Sequence, residues 1–221
     1  LARTGRDMDE LALWLSAPEQ GYRVICPDTL GRGLSQWSPD PDREYCLDFY
    51  SALATSLVDQ LGLTQFDWVG TSMGGSIGLV AAAGSLRGRI TRLVLNDNGP
   101  ELAAAAIDRI RTYAGNPSAF ATVSELEQYF RSVYKPYGSL TDAQWRRLTE
   151  SSTRRLPDGR VTPHYDPGMM QQFVCHHDDY LRWQEYDSLQ IPVMCLRGEK
   201  SDLLLKETAL AMAQRGPRAQ V

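Results

Sequence analysis

The alternation of apolar and polar positions along the chain predicts short strands separated by helices. Four apolar runs bounded by Gly, Pro, Asn or Asp have the pattern of buried strands, and they cover residues 22–26, 66–69, 92–96 and 192–197. Helical periodicity begins near Asp7 and again near Tyr50, and Gly62 lies where a helix C′ residue is expected. Strands that alternate with helices predict a parallel sheet covered on both faces, so the fold class is α/β, doubly wound and mostly parallel.

A long interval without strand signals interrupts this alternation. Residues 101–187 carry helical patterns only, and two helix starts fit the capping box, Ser124-x-x-Glu127 and Thr141-x-x-Gln144. We therefore predict three segments: residues 1–100 as the first part of the core, residues 101–187 as an inserted helical cap, and residues 188–221 as the second part of the core.

The predicted cap is rich in aromatic residues, with 12 of the chain's 20 Phe, Trp and Tyr. Such residues either form the cap's own core or line an apolar pocket. Trp145, Trp183 and Tyr186 are the candidates for a pocket lining.

Composition narrows the classes of function. The net charge is −4 and no Lys/Arg run is present, so we expect no nucleic-acid partner. We expect no membrane partner, because no apolar run approaches the ~18–20 residues that cross a bilayer. The four cysteines form no CxxC pair and have no histidine at metal-ligand spacing. They are predicted to be free thiols in a reducing, cytoplasmic compartment, with no metal site.

The most specific chemical signal is a serine between two glycines. The segment Gly70-Thr71-Ser72-Met73-Gly74 follows an apolar strand and precedes a helix of small residues. A serine on so sharp a turn takes a strained backbone conformation, and small residues at positions 70 and 74 are expected to let the turn close. The turn exposes the Ser72 hydroxyl and points the first N–H groups of the next helix at a developing oxyanion. That is the geometry of a nucleophile in acyl transfer.

Four motifs, in chain order, resemble those of the α/β-hydrolase fold superfamily. They are Pro27-Asp28-x-x-Gly31-Arg32-Gly33-x-Ser35, Gly70-Thr71-Ser72-Met73-Gly74-Gly75, Leu95-Asn96-Asp97-x-Gly99-Pro100 and Arg197-Gly198-Glu199-Lys200-Ser201-Asp202. The similarity covers the chain outside the predicted cap. It is greatest to lidded serine hydrolases, which include carbon–carbon bond hydrolases, small-ester hydrolases and haloperoxidase-like esterases. The resemblance implies a hydrolase that needs no cofactor and acts on a small acyl substrate.

The resemblance also implies roles for individual residues. Ser72 would be the nucleophile and Asp202 the carboxylate that orients a histidine, with Asp97 as the alternative acid. The backbone N–H groups of Met73 and Leu1 would form the oxyanion hole. Serine at position 72 argues against the dehalogenase and epoxide-hydrolase branches, which use a carboxylate as nucleophile.

The third member of the triad has no match in the chain. All three histidines, His164, His176 and His177, precede Asp202, whereas the resemblance places the base in a loop that follows the acid. A parallel sheet of this type should also have strands before Leu1, so we expect the sequence to be truncated at both ends. We also expect these residues alone to be nearly inactive, because a positioned general base contributes ~10²–10⁴ in rate.

The leading hypothesis is a serine hydrolase that uses a Ser-His-Asp triad and an acyl-enzyme. Its substrate would be a small, largely apolar ester, thioester, lactone or activated carbon–carbon bond. Two alternatives stay open at this point. One is a catalytically inactive, hydrolase-like binding module, and the other is a perhydrolase or haloperoxidase-like activity on the same triad.

Overall fold

The computed structural model describes residues 1–221, except for the side chains of Tyr113 and Pro136. The chain folds as two compact units. The sheet unit comprises Leu1, Asp40–Tyr113 and Met169–Val221, and the second unit comprises Ala2–Pro39 and Ala114–Gly168. These units are divided at other residues than the three predicted segments, and the boundaries of a functional cap stay a prediction.

The secondary structure follows the predicted order in its main elements. The described strands are β1 Phe66–Thr71, β2 Ile90–Asn96, β3 Thr153–Arg155, β4 Val161–Pro163 and β5 Val193–Leu196. The described α-helices are α1 Asp9–Leu15, α2 Pro41–Glu44, α3 Leu47–Gln60, α4 Met73–Ala83, α5 Ala104–Ala114, α6 Val123–Val133, α7 Asp142–Ser151, α8 Gln172–Cys175, α9 Trp183–Asp187 and α10 Lys206–Met212.

The sheet unit is built on three parallel strands in the order β1–β2–β5. This arrangement confirms the predicted α/β class. Thr71 pairs with Asn96 and Asn96 pairs with Leu196, so the three strands end together at one edge of the sheet. The carboxyl edge of a parallel sheet is where α/β proteins usually carry their ligand and catalytic groups.

Alternate residues of the central strand form the core of the sheet unit. Leu93 and Leu95 are buried against Val193 and Cys195 of β5 and against Leu79 of α4. Removing one such side chain from water contributes about 1.5–3 kcal/mol, so this core fixes the strand ends that carry the motifs.

Two of the three candidate pocket residues are buried in cores, and the third packs against one of them. Tyr186 is fully buried in the core of the sheet unit, where its hydroxyl donates to the Met212 carbonyl at 2.6 Å, and Trp183 packs against the same cluster. Trp145 is buried in the core of the second unit with Leu126 and Phe130. The aromatic enrichment of residues 101–187 therefore serves packing at these positions.

The predicted strand at residues 22–26 is wrong. An extended segment becomes a strand only when a neighbour pairs with its backbone, and no described strand pairs with this one. The Tyr22 N–H instead donates to the Leu15 carbonyl at 3.1 Å, behind the end of α1.

The prediction that residues 101–187 contain only helices is also wrong. Strands β3 and β4 form an antiparallel hairpin there. The connection contains Pro157-Asp158-Gly159, and the Gly159 N–H donates to the Leu156 carbonyl at 3.0 Å with Gly159 at φ +88°. Proline, aspartate and glycine in this order are turn formers, so the signal was present but the strands are too short to show periodicity.

One of the two predicted capping boxes is confirmed. Thr141 and Gln144 make both reciprocal bonds at the start of α7. The box at Ser124 is wrong, because α6 is capped two residues earlier by Thr122, whose hydroxyl accepts the Glu125 N–H at 3.2 Å. The sequence Thr122-Val123-Ser124-Glu125-Leu126-Glu127 fits the motif in two registers, and local pattern alone does not choose between them.

No helix in the described part of the chain is long and apolar enough to span a membrane. The described His, Cys, Asp and Glu side chains form no group of three that could hold a metal ion. The four cysteines are free thiols, as predicted.

The cysteines should differ sharply in reactivity. Burial, with the charge of Asp97 adding to it, raises the pKa of Cys195 to about 11, whereas Cys175 is exposed. At pH 8 this pKa lowers the thiolate fraction of Cys195 about 100-fold below that of an unperturbed thiol, and burial blocks access as well. Iodoacetamide should therefore label native Cys175 first and reach Cys195 only after unfolding. Equal labelling of the two in the native protein would contradict this arrangement.

Candidate active site

Ser72 is the single residue that connects β1 to α4. It has φ +50° and ψ −122°, a backbone conformation that residues other than glycine rarely adopt. Its N–H donates to the Asn96 carbonyl of β2 at 3.1 Å, and its carbonyl accepts the Gly75 and Ser76 N–H groups of α4. The predicted strand–turn–helix around Ser72 is confirmed, and the strain stored in it costs on the order of 1–3 kcal/mol.

The turn closes because Gly70 lacks a side chain. A Cβ on Gly70 would lie 2.3 Å from the carbonyl carbon and oxygen of Gly74 and from the nitrogen of Gly75. A Cβ on Gly74 would meet nothing within 4 Å. The expectation that position 74 must be small for the turn to close is therefore wrong. The turn closes because the peptide between Gly74 and Gly75 packs against Gly70. The Trp68 indole N–H also holds this peptide by donating to the Gly74 carbonyl at 2.9 Å.

Asn98 supports the turn from the segment after β2, a role that sequence reasoning missed. In the amide orientation that satisfies both ends of the group, its nitrogen donates to the Ser72 carbonyl at 3.2 Å and to Ser76 Oγ at 3.1 Å. Asn98 is fully buried, so these bonds are shielded from water. Asn98 lies inside the motif Leu95–Pro100, which was the available signal. The motif leaves position 98 unspecified and does not show which residues its side chain contacts.

The two predicted oxyanion donors belong to the same unit as Ser72. Met73 is the first residue of α4, and the N-terminus of a helix carries a partial positive charge that favours an anion. Leu1 is half-buried and groups with the sheet unit. That the N–H groups of Met73 and Leu1 form an oxyanion hole stays a prediction.

Asp97 follows β2 and uses its carboxylate within the protein. Its Oδ1 accepts the Gly198 N–H at 3.2 Å, and its Oδ2 accepts the Ser201 hydroxyl at 2.8 Å. Its backbone is left-handed, with φ +50°, which aspartate tolerates better than most residues. Asp97 therefore joins the end of β2 to the loop that follows β5.

Asp202 lies in that loop and faces solvent. Its side chain is 60% exposed and forms an ion pair with Arg109 of α5, which is 51% exposed. The Arg109 Nη2 donates to Asp202 Oδ1 at 3.0 Å. An ion pair this exposed contributes little to stability, and the carboxylate is accessible to another cationic partner.

The three histidines make other contacts. His176 Nε2 is 2.8 Å from the Asp42 carbonyl oxygen, and His177 Nε2 is 3.2 Å from the Asp178 carboxylate. Both line an open cleft of about 350 Å³, together with Cys175, Asp178, Asp179, Leu181 and Arg182. His164 belongs to the second unit, where burial lowers its pKa and the Arg154 charge lowers it further, against an opposing effect of Asp28.

Comparison with known proteins identifies the family of the chain. A family model described as the alpha/beta hydrolase fold matches residues 10–221. A 3-hydroxybutyrate-oligomer hydrolase from Cupriavidus necator is 37% identical over 225 aligned positions, which cover 98% of this chain and 75% of the relative. A crystal structure of an alpha/beta hydrolase from Novosphingobium aromaticivorans superposes with a TM-score of 0.85 at 32% identity, covering 99% of this chain and 76% of that one.

The match spans the parallel sheet, the strained serine and the loop after β5, and it extends over nearly the whole chain. The chain belongs to the α/β-hydrolase fold family, and it is a hydrolase of that fold.

Proposed function

We propose that this protein is a serine hydrolase that cleaves small, largely apolar esters through an acyl-enzyme. The observation that carries the proposal is the strained backbone of Ser72 at φ +50°, between β1 and α4. A protein keeps such strain where the surrounding structure compensates for it, and strained residues cluster at functional sites. The turn lies at the carboxyl edge of the sheet and next to the N-terminus of α4, so the Ser72 hydroxyl is carried there.

In the proposed reaction, Ser72 Oγ attacks the ester carbonyl carbon while a histidine removes the hydroxyl proton. The carbonyl electron pair moves to oxygen, and the N–H groups of Met73 and Leu1 stabilise the oxyanion. Collapse of the intermediate breaks the ester C–O bond, and the histidinium gives its proton to the departing alcohol. Water then attacks the acyl-enzyme by the same route, which releases the acid and returns the proton to Ser72.

Asp202 orients the histidine and stabilises its charged form in this proposal. Asp97 is less suited to that part, because both of its carboxylate oxygens are already occupied by Gly198 and Ser201. The proposed mechanism also needs a histidine as the general base. The three histidines of this chain have the contacts described above, and the relative from Cupriavidus necator is longer than the stretch it shares with this chain.

Short oligoesters of hydroxy acids are the first substrates to test. The Cupriavidus relative is, by its name, a hydrolase of 3-hydroxybutyrate oligomers, and it is similar over 98% of this chain. We expect the full-length protein to hydrolyse dimers and trimers of 3-hydroxybutyrate faster than a thioester, a lactone or a vinylogous diketone of similar size. Faster cleavage of one of those three classes would replace the oligoester as the substrate.

Replacing Asp202 tests the proposed triad. In the full-length protein Asp202→Asn should lower kcat about 10³–10⁴-fold, because an uncharged amide neither holds the productive tautomer nor stabilises the imidazolium. The melting temperature should hardly change, since the Arg109 pair is exposed. Asp178→Asn removes another exposed carboxylate in the same unit and should leave kcat unchanged. An Asp202→Asn enzyme with parental kcat would exclude Asp202 as the acid.

A further inference from the structure

The loop between β5 and α10, residues 197–205, is held by hydrogen bonds that converge from inside the sheet unit. We call it the acid loop, because it carries Asp202. We propose that Asp97, Ser201 and Arg197 are positioning residues that fix this loop, so that Asp97 acts on the reaction through Asp202. The inference rests on the proposed role of Asp202 as the triad acid.

Arg197 binds the backbone of the acid loop at three points. Its guanidinium donates to the carbonyl oxygens of Leu204 at 2.8 Å, Glu199 at 3.1 Å and Ser201 at 3.0 Å. Five N–H donors in one rigid plane can satisfy several carbonyls at once. The two arms of the loop, on either side of Asp202, are thus held to one side chain.

Ser201 is the second centre of this network. Its oxygen accepts the N–H groups of Leu203 at 3.2 Å and Leu204 at 3.3 Å, so its hydroxyl proton is directed to Asp97 Oδ2, which is 2.8 Å away. An alanine at position 201 would leave these two N–H groups and the Asp97 carboxylate with fewer partners. The bond between Ser201 and Asp97 is charge-assisted, and such bonds are about twice as strong as neutral ones.

Asp97 connects the acid loop to the central strand. Its carboxylate accepts from Gly198 and Ser201, while its own N–H donates to the Leu196 carbonyl at the end of β5 at 2.7 Å. Its left-handed backbone is stable with aspartate or asparagine, so Asp97→Asn removes the charge and keeps the backbone conformation.

Asp202 itself makes no bond within this network. Its carboxylate contacts Arg109, while the residues around it in the loop are bound to Arg197, Asp97 and Ser201. The hydrogen bonds fix the backbone of the acid loop, while the Asp202 carboxylate stays exposed to solvent. This arrangement is suited to presenting the carboxylate to a histidine. Small displacements matter there, since a misplacement of about 1 Å in a catalytic group costs on the order of 10²-fold in rate.

The test compares Asp97→Asn, Ser201→Ala and Asp202→Asn in the full-length protein, with kcat expressed per serine titrated by a fluorophosphonate. Ser188→Ala is the matched control, because its hydroxyl donates to the Glu185 carbonyl in an exposed turn. We expect Asp97→Asn and Ser201→Ala to lower kcat by about 10–100-fold with KM within about threefold of the parent. Asp202→Asn should lower kcat more than either, and Ser188→Ala should not change it.

The pH profile separates positioning from a merely structural role. A carboxylate beside the histidine raises the pKa of the imidazole, so a displaced Asp202 should move the acid limb of kcat/KM to lower pH. Parental kcat per active serine and an unmoved acid limb in both variants would overturn the inference.

A loss of kcat in Asp97→Asn as large as that in Asp202→Asn would also overturn the inference, because Asp97 would then be the acid. If Asp97→Asn does not fold, Ser201→Ala alone decides by the same two readouts. A fully active Asp202→Asn enzyme would instead contradict the proposed function.

Discussion

Ser72→Ala should abolish ester hydrolysis by the full-length protein while leaving its fold intact. The nucleophile is removed, and the acyl-enzyme cannot form, so kcat should fall on the order of 10⁴–10⁶-fold. Alanine has to adopt the same φ +50° as serine, so the melting temperature should stay near that of the parent. Retained turnover in a folded Ser72→Ala protein would contradict the proposed mechanism.

Ser72→Gly is the matched partner of this variant. It removes the same hydroxyl but also relieves the strain at φ +50° and ψ −122°, a conformation that glycine adopts readily. The relief of about 1–3 kcal/mol is partly offset by the higher entropy of glycine in the unfolded chain. We expect a net gain of about 1–2 kcal/mol, which corresponds to roughly 2–8 °C in melting temperature. A Ser72→Gly protein less stable than Ser72→Ala would contradict the strained geometry.

Gly70→Ala should be the most destabilising single substitution in the motif. Its Cβ would lie 2.3 Å from backbone atoms of Gly74 and Gly75, and neither a strand nor a helix backbone can move aside cheaply. We expect a loss on the order of 3 kcal/mol or more, seen as a melting temperature lower by roughly 6–12 °C or as a failure to fold.

Gly74→Ala is the control for this effect, because it makes the same change on the other side of the serine. Its Cβ would meet nothing within 4 Å, and alanine favours the helix by about 0.5–1 kcal/mol. The variant should be as stable as the parent or slightly more stable, as measured by thermal unfolding. Equal losses at positions 70 and 74 would show that the packing around Ser72 differs from that described.

The parts of the fold that follow from local patterns were predictable. The strand before Ser72, the helix after it and the helix that precedes Gly62 are marked by periodicity and by glycine, and the structure has all three. The hairpin of β3 and β4 was missed because each strand has only three residues, too few for a period to show. The apolar run at residues 22–26 was overinterpreted, since its strand character depends on a neighbour that sequence does not display.

The candidate site likewise contains features that local patterns mark and features that depend on distant parts of the chain. The serine, its turn and the acid loop were found because motifs mark them in the sequence. The buried amide of Asn98 and the pairing of Asp97 with Ser201 join residues that are far apart in the chain. Their geometry depends on how β1, β2 and β5 are ordered, and no local pattern encodes that order. The expectation for Gly74 was wrong for the same reason. Sequence does not show that the peptide between Gly74 and Gly75 faces Gly70, so that a side chain would clash at position 70 and not at position 74.

The central claim is that Ser72 is an activated nucleophile, and labelling with a fluorophosphonate tests it most directly. The natural full-length protein would be treated with the reagent, its intact mass recorded, and the adduct mapped by peptide mass spectrometry beside the Ser72→Ala variant. We predict a single adduct on Ser72, formed in parallel with the loss of ester hydrolysis and absent from the variant. Unlabelled Ser72 in a folded full-length protein would contradict the claim, and the hydrolase-like binding module would then be the better account.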